Sequence, residues 1–190
     1  MRAPVRNKED GAQAVNTDTG ELAVPKVPPA RRAGSPAEFE ELFRRYWPPA
    51  YRAAYFVVFD RSAAEDIAQE AFVSALRALD RFDRRRPFGP WLHRIVVNRA
   101  IDWARTRALR RELDIEPPGD SEPPDEIELR DELEAALRTL TPERRAVVVL
   151  RYVLDYTPGE IAKLLDLPRG TVNSRLRRAL DQLAEEVERG

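Results

Sequence analysis

An all-α fold is what the sequence predicts: two small helical domains joined by an acidic, Pro-containing flexible linker, the C-terminal one with a helix-turn-helix. Three observations carry it. Apolar residues recur at i, i+3, i+4 and i+7 through most of the chain, and no segment alternates apolar with polar residues as a half-buried strand would. Two such periodic blocks flank a stretch in which Pro117, Pro118, Pro123 and Pro124 stand among carboxylates. Helix-start signals, a hydroxyl residue followed by Pro and Glu, recur at the block edges.

Residues 1–36 hold five Pro and few large apolar groups, so they are expected to form a disordered extension. Ser35-Pro36-Ala37-Glu38 then opens a helix, with Phe39, Leu42, Phe43 and Tyr46 on one face. Pro48 and Pro49 are expected to end it, a second helix starting there and reaching about Phe59. Ser62-Ala63-Ala64-Glu65 reads as the capping box of a third helix, running to about Arg81. Residues 82–90, with two Pro and one Gly, read as a loop before a fourth helix over roughly 91–110. These helices make a first domain over 37–111, and 112–132 is the expected tether. Periodicity resumes near Glu126, and the second domain spans 133–190. In it Thr141-Pro142-Glu143 and Thr157-Pro158-Gly159-Glu160 each open a helix, and Asp166-Leu167-Pro168 is a turn before a last helix over 169–188.

Composition narrows the function classes. The 190 residues include no Cys and one His, which leaves no disulfide framework, thiol nucleophile or His-clustered metal site. No paired-carboxylate device or Gly-rich phosphate loop is present, so neither an enzyme nor a cofactor is expected. Apolar runs are too short for a membrane span and no signal-peptide core precedes them; the expected location is cytoplasmic. The net charge of −1 hides a sharp asymmetry: residues 37–111 carry +5 and residues 112–134 carry −10. Between 77 and 111 there are 11 Arg and 3 acidic groups. Arg-rich blocks suit an anionic partner, though a genome-wide Arg bias gives the same count.

Three helical faces stand out. On the last helix Val172, Leu176, Ala179, Leu180 and Leu183 form the core side; Thr171, Ser174, Arg177 and Arg178 point away, with Asn173 and Arg175 at the edges. Helix, three-residue turn and longer helix have helix-turn-helix spacing, and hydroxyls with guanidiniums suit base edges and phosphates. On the fourth helix Trp91, Arg94, Asn98 and Arg99 share a side, preceded by Arg84, Arg85, Arg86 and Phe88 in the loop. Such a surface can stack a base, hydrogen-bond its edge and neutralise phosphates. Trp91 fits a core position equally well. His93 is expected as a helix-surface side chain rather than a ligand. On the third helix Asp66, Gln69 and Glu70 face outward with Val73 and Arg77; two like charges at i, i+4 make sense against a basic partner surface, and also as a plain solvated face.

At this point the residues carry a family resemblance. Asp66-Ile67-Ala68-Gln69-Glu70-Ala71-Phe72, Ala78-Leu79-Asp80-Arg81-Phe82 and Pro90-Trp91-Leu92-His93-Arg94-Ile95-Val96-Val97-Asn98 resemble region 2 of bacterial extracytoplasmic-function sigma factors. Leu140-Thr141-Pro142-Glu143-Arg144-Arg145, Glu160-Ile161-Ala162 and Gly170-Thr171-Val172-Asn173-Ser174-Arg175-Leu176-Arg177-Arg178-Ala179 resemble region 4. The resemblance covers about residues 37–188. It implies a subunit that binds core RNA polymerase, reads the −10 and −35 promoter elements and promotes melting. By that likeness Asp66, Gln69 and Glu70 match the positions that dock on the β′ clamp helices, and region 4 the part that meets the β flap. Loop 82–90 and the helix bearing Asn98 match the part that captures a flipped −10 base. Thr171, Asn173, Ser174, Arg175, Arg177 and Arg178 match the −35-reading helix. Many relatives are held inactive by an anti-sigma protein, which makes one a candidate partner. Two positions depart from the pattern: Asp166 stands where Gly is usual, and tolerates the left-handed conformation; Asn173 stands where a basic residue is frequent. A stand-alone helix-turn-helix regulator, or a protein binding RNA or an acidic partner through its Arg block, is the other reading of the residues.

Overall fold

The computed structural model describes residues 36–113 and 131–189. In chain order the helices are α1 (Pro36–Val58), α2 (Arg61–Ala78), a single 3-10 turn (Leu79–Arg81), α3 (Phe88–Glu112), α4 (Asp131–Thr139), α5 (Pro142–Tyr152), α6 (Pro158–Leu165) and α7 (Arg169–Arg189). No strand occurs among the described residues. No helix there is long and apolar enough to cross a membrane. The expected N-terminal extension lies outside the described residues, as does the expected tether except for its ends, where Glu112 closes α3 and Asp131 opens α4.

The first correction is in α1, which runs unbroken through Pro48 and Pro49. Each Pro removes an N–H that would reach back four residues, and an interior Pro costs about 3 kcal/mol or more. Tertiary packing outweighs that cost. Tyr46, Ala50, Ala53 and Ala54 are buried on both sides of the step. Phe43, Trp47 and Tyr51 stack at successive i+4 positions, with centroids 4.8 and 6.2 Å apart. Breaking the helix would split both the core stripe and this aromatic column.

α1 ends at Phe59, whose φ of 48° is left-handed. A bulky residue there is strained and persists only when packing fixes it; Phe59 is 1% exposed, so its ring is fully engaged. The cap of α2 is Asp60, not Ser62: its side chain accepts from the Ala63 N–H at 3.0 Å. The Arg107 guanidinium sits 2.6 Å from the same carboxylate. Burial pushes the Asp60 carboxyl up, but the Ala63 N–H and Arg107 outweigh it and hold its pKa below the usual carboxylate value. α3 starts at Phe88, earlier than its two flanking Pro suggest, because Pro90 in a first turn costs no hydrogen bond.

The helices make two units, α1–α3 and α4–α7, and both belong to one continuous apolar core. α5 packs against α1 and α3, and α6 against α3. A buried polar knot helps fix the seam. Arg145, 8% exposed, donates to the carbonyls of Val57 (2.6 Å), Leu140 (2.9 Å), Leu137 (3.0 Å) and Arg138 (3.1 Å). These lie at the C-terminal ends of α1 and α4, where unpaired carbonyls and the helix dipole favour a cation. The Phe59 ring lies under both Arg138 (4.8 Å) and Arg145 (4.9 Å). Burial, with a smaller contribution from Arg138, draws the Arg145 pKa down to about 10, so the group remains charged at neutral pH.

Candidate nucleic-acid interface

The loop before α3 is built around Asp83. Its carboxylate accepts from the Arg85 N–H at 3.1 Å and its carbonyl from the Arg86 N–H at 2.9 Å, which closes a tight turn. The turn sends Arg84, Arg85 and Arg86 outward, all three exposed. Arg84 is steered by Glu38 of α1 at 3.2 Å, and Arg86 stays 3.8 Å from Asp83. Behind the turn Phe82 and Trp91 stack with centroids 4.5 Å apart and planes 25° apart. Both rings are half-buried, so the pair offers an edge to solvent.

Phe88 corrects its expected role. It is 4% exposed and packs edge-on to Trp91 and Phe82 and against Tyr46, so it supports the stacked pair from below and meets no solvent partner. Gly89 permits this: a Cβ there would come 2.9 Å from Tyr46 Cε1. Arg94 and Asn98 are exposed one turn apart on α3, continuing the arginine surface along the helix. Arg99 leaves that surface. Its guanidinium pairs with Glu70 and donates to Ser74 Oγ at 2.9 Å, bridging α3 to α2.

On α2, Asp66, Gln69 and Glu70 are all exposed, as the helix periodicity predicts, and Val73 is 43% exposed beside them. Gln69 donates to Glu65 at 3.2 Å. The patch therefore presents carboxylates, an amide and one apolar contact, with Arg99 spanning the gap between it and α3.

In the second unit the local rules hold closely. Thr157 and Glu160 form the complete capping box of α6. Asp166 takes the left-handed conformation, φ 56°, and turns the chain into α7. Val172, Leu176 and Ala179 are buried; Thr171 and Arg175 are half-buried; Asn173, Ser174, Arg177 and Arg178 are exposed. Leu180 departs from its expected core position and is 42% exposed. α6 and α7 meet as a helix-turn-helix whose second helix offers an outward polar face.

The largest miss is His93. It is 6% exposed, and its Nδ1 lies 2.7 Å from the Tyr156 hydroxyl of the other unit, with which it shares a hydrogen bond. Burial draws its pKa down to about 4, so it is neutral at physiological pH. A single-helix wheel places it outside the apolar side because α3 is buried twice, against α1 and α2 and again against α5 and α6. Tyr156 and Arg145, two further seam residues, carry one signal each: an aromatic next to a helix cap, and an Arg inside an apolar helix body.

Comparison with known proteins fits this geometry. Residues 42–110 match the family model for Sigma-70 region 2, and residues 130–183 match that for Sigma-70, region 4. The chain is 30% identical over 172 residues to the ECF RNA polymerase sigma factor SigW of Bacillus subtilis (strain 168), covering 82% of this chain and 92% of that protein. Its fold resembles CnrH, solved in complex with the cytosolic domain of CnrY, with a TM-score of 0.63 and 29% identity over 82% of this chain and 90% of that one. It also shares its fold with the sigma factor RpoE of Bartonella quintana, solved with the anti-sigma factor NepR, at a TM-score of 0.67 and 21% identity over 80% of this chain and 97% of that one. Two region models in the right order and a relative matched along nearly its full length lead to one conclusion: the chain belongs to the extracytoplasmic-function sigma factors of RNA polymerase.

Proposed function

We propose that this chain binds core RNA polymerase through the exposed α2 patch of Asp66, Gln69 and Glu70 and directs it to promoters. The outward residues of α7, Thr171, Asn173, Ser174, Arg175, Arg177 and Arg178, read the −35 element in the major groove. The loop arginines Arg84, Arg85 and Arg86, with Trp91, Arg94 and Asn98, hold the melted −10 strand. Arg99 acts as the strut between docking and −10 surfaces, and Phe88 as the floor of the stacked pair. The work divides between a region 2 domain over 37–111 and a region 4 domain over 133–190, with 112–132 as tether. The exposed Leu133 and Leu180 suit a protein contact of region 4, which the family resemblance assigns to the β flap. A regulatory protein partner fits the same reading, since CnrH was solved with the cytosolic domain of CnrY. The site of action is the cytoplasm.

The observation that carries this reading is the surface shared by the loop and α3. α3 is buried against four other helices, yet Arg94 and Asn98 remain exposed in line with three loop arginines and the Phe82–Trp91 pair. Unpairing and unstacking a base costs a few kcal/mol. Stacking a base on an aromatic returns about 1–3 kcal/mol. Phosphate contacts from the arginines add sequence-independent affinity that falls with salt. The test is in-vitro transcription with core polymerase. Asn98→Ala should leave core binding intact and lose −10 selectivity; unchanged selectivity overturns the assignment of that surface.

A further inference from the structure

A cleft of about 950 Å³ opens where α6 meets the loop before α3. The first unit supplies Arg81, Arg86, Arg94 and an edge of the stacked Phe82–Trp91 pair; α6 supplies Lys163 and Leu164. Small-ligand sites are mainly apolar hollows of about 300–1,000 Å³ with a few placed polar groups, and they favour junctions between folded units. This cleft meets each of those terms.

Its charges are out of balance. Four cations and two carboxylates line it. Both carboxylates are engaged within their own segments. Asp83 accepts from the Arg85 N–H at 3.1 Å and stands 3.8 Å from Arg86. Glu160 closes the α6 capping box, accepting from the Thr157 N–H at 2.8 Å and from its hydroxyl at 2.7 Å. Arg81, Arg94 and Lys163 make no ion pair or side-chain hydrogen bond among the described residues. Three unpaired cations, from the 3-10 turn, α3 and α6, thus line one concave space, where their mutual repulsion favours a polyanion. Clustered phosphates satisfy several such groups at once. The half-buried Phe82–Trp91 pair, with Pro87 and Pro90 beside it, offers a planar base an apolar wall.

We propose that the cleft binds a free nucleoside polyphosphate, with its base against the Phe82–Trp91 pair and its phosphates among Arg81, Arg94 and Lys163. The site goes beyond promoter reading. It shares Arg86, Trp91 and Arg94 with the proposed −10 surface; Lys163 belongs to the cleft alone, and Asn98 lies outside it.

The test is calorimetric titration of the full chain with ATP in magnesium-free buffer, alongside adenosine and inorganic triphosphate. One ATP per chain should bind. Adenosine and triphosphate should each bind at least about tenfold more weakly, since each lacks one half of the recognised chemistry. ATP at about ten times its Kd should raise Tm by about 3–6 °C. Lys163→Ala and Arg81→Ala change exposed side chains and should each weaken ATP binding at least about fivefold, with the nucleotide-free Tm unchanged. Asn98→Ala should bind ATP as wild type does, so loss of −10 selectivity there and loss of ATP in Lys163→Ala are separate results. No saturable binding by about 1 mM ATP overturns the proposal. So does triphosphate binding as tightly as ATP, which marks a bare anion site, or ATP affinity unchanged in both cleft variants. A single-stranded −10-like oligonucleotide that Lys163→Ala weakens as much as ATP also overturns it, because the cleft then belongs to the strand.

Discussion

Arg145→Met removes the cation from the seam while keeping an apolar stem of similar length. In the folded chain this guanidinium is 8% exposed and its four acceptors are carbonyls between 2.6 and 3.1 Å away. Hydrogen bonds to a charged donor contribute about 1.5–3 kcal/mol each, and a buried acceptor left unpaired costs about 1–3 kcal/mol. The four are not additive, and relief of the buried charge offsets part of the loss. Breaking a buried ionic contact from one side costs about 3–5 kcal/mol, which is the magnitude expected here. For a chain of this size each kcal/mol moves Tm by roughly 2–4 °C, so the variant should melt about 10 °C lower. Arg145→Lys keeps the charge without the planar fork and should fall between the two. The assay is calorimetry with matched urea unfolding at neutral pH. A melting point within about 2 °C of wild type would refute the reasoning that these carbonyls depend on Arg145.

Three more outcomes follow from particular contacts. Gly89→Ala drives a Cβ to 2.9 Å from the buried Tyr46 ring; overpacking of about 1–3 kcal/mol should exceed the helix-propensity gain, and a calorimetric Tm at or above wild type contradicts that. His93, neutral when packed and drawn from 6.5 to about 4, gives full stability above pH 6.5 that is lost as pH falls toward 4. The slope from this group is at most about 1.4 kcal/mol per pH unit, because the unfolded chain binds the extra proton. Urea midpoints between pH 7 and 4.5 should therefore flatten in His93→Gln, which removes this contribution and leaves those of Asp60 and Glu143; equal slopes in both proteins contradict it. Arg177→Ala and Arg178→Ala should each reduce the salt slope of −35 DNA binding by the polymerase-bound chain by about one, and an unchanged slope for both removes α7 from the phosphate contacts.

What could be read from sequence divides by range. α6 and the turn into α7 are set by neighbours in the chain, Thr157 with Glu160 and the left-handed Asp166, so their boundaries are legible. The exposed patch of Asp66, Gln69 and Glu70 is legible for the same reason, being one face of one amphipathic helix. α1 is not, because two Pro argue locally for a break that only the buried column of Tyr46, Ala50 and Ala53 overrules. Periodicity alone gives each helix one partner. α3 has four, which is why His93 looks like a surface residue and lies buried against Tyr156, and why Phe88 looks available for a base and lies beneath Trp91. Arg99 shows the same limit: charge density assigns it to nucleic acid, while its nearest anion is Glu70 on α2.

The most direct test supplies core polymerase with the purified full chain and a pool of genomic promoters. A subset of start sites should be used only when the chain is present, sharing −10 and −35 sequences, and Asp66→Ala combined with Glu70→Ala should abolish both core association and that subset. Start sites independent of the chain, or a chain that never joins the polymerase, would contradict the account at its root.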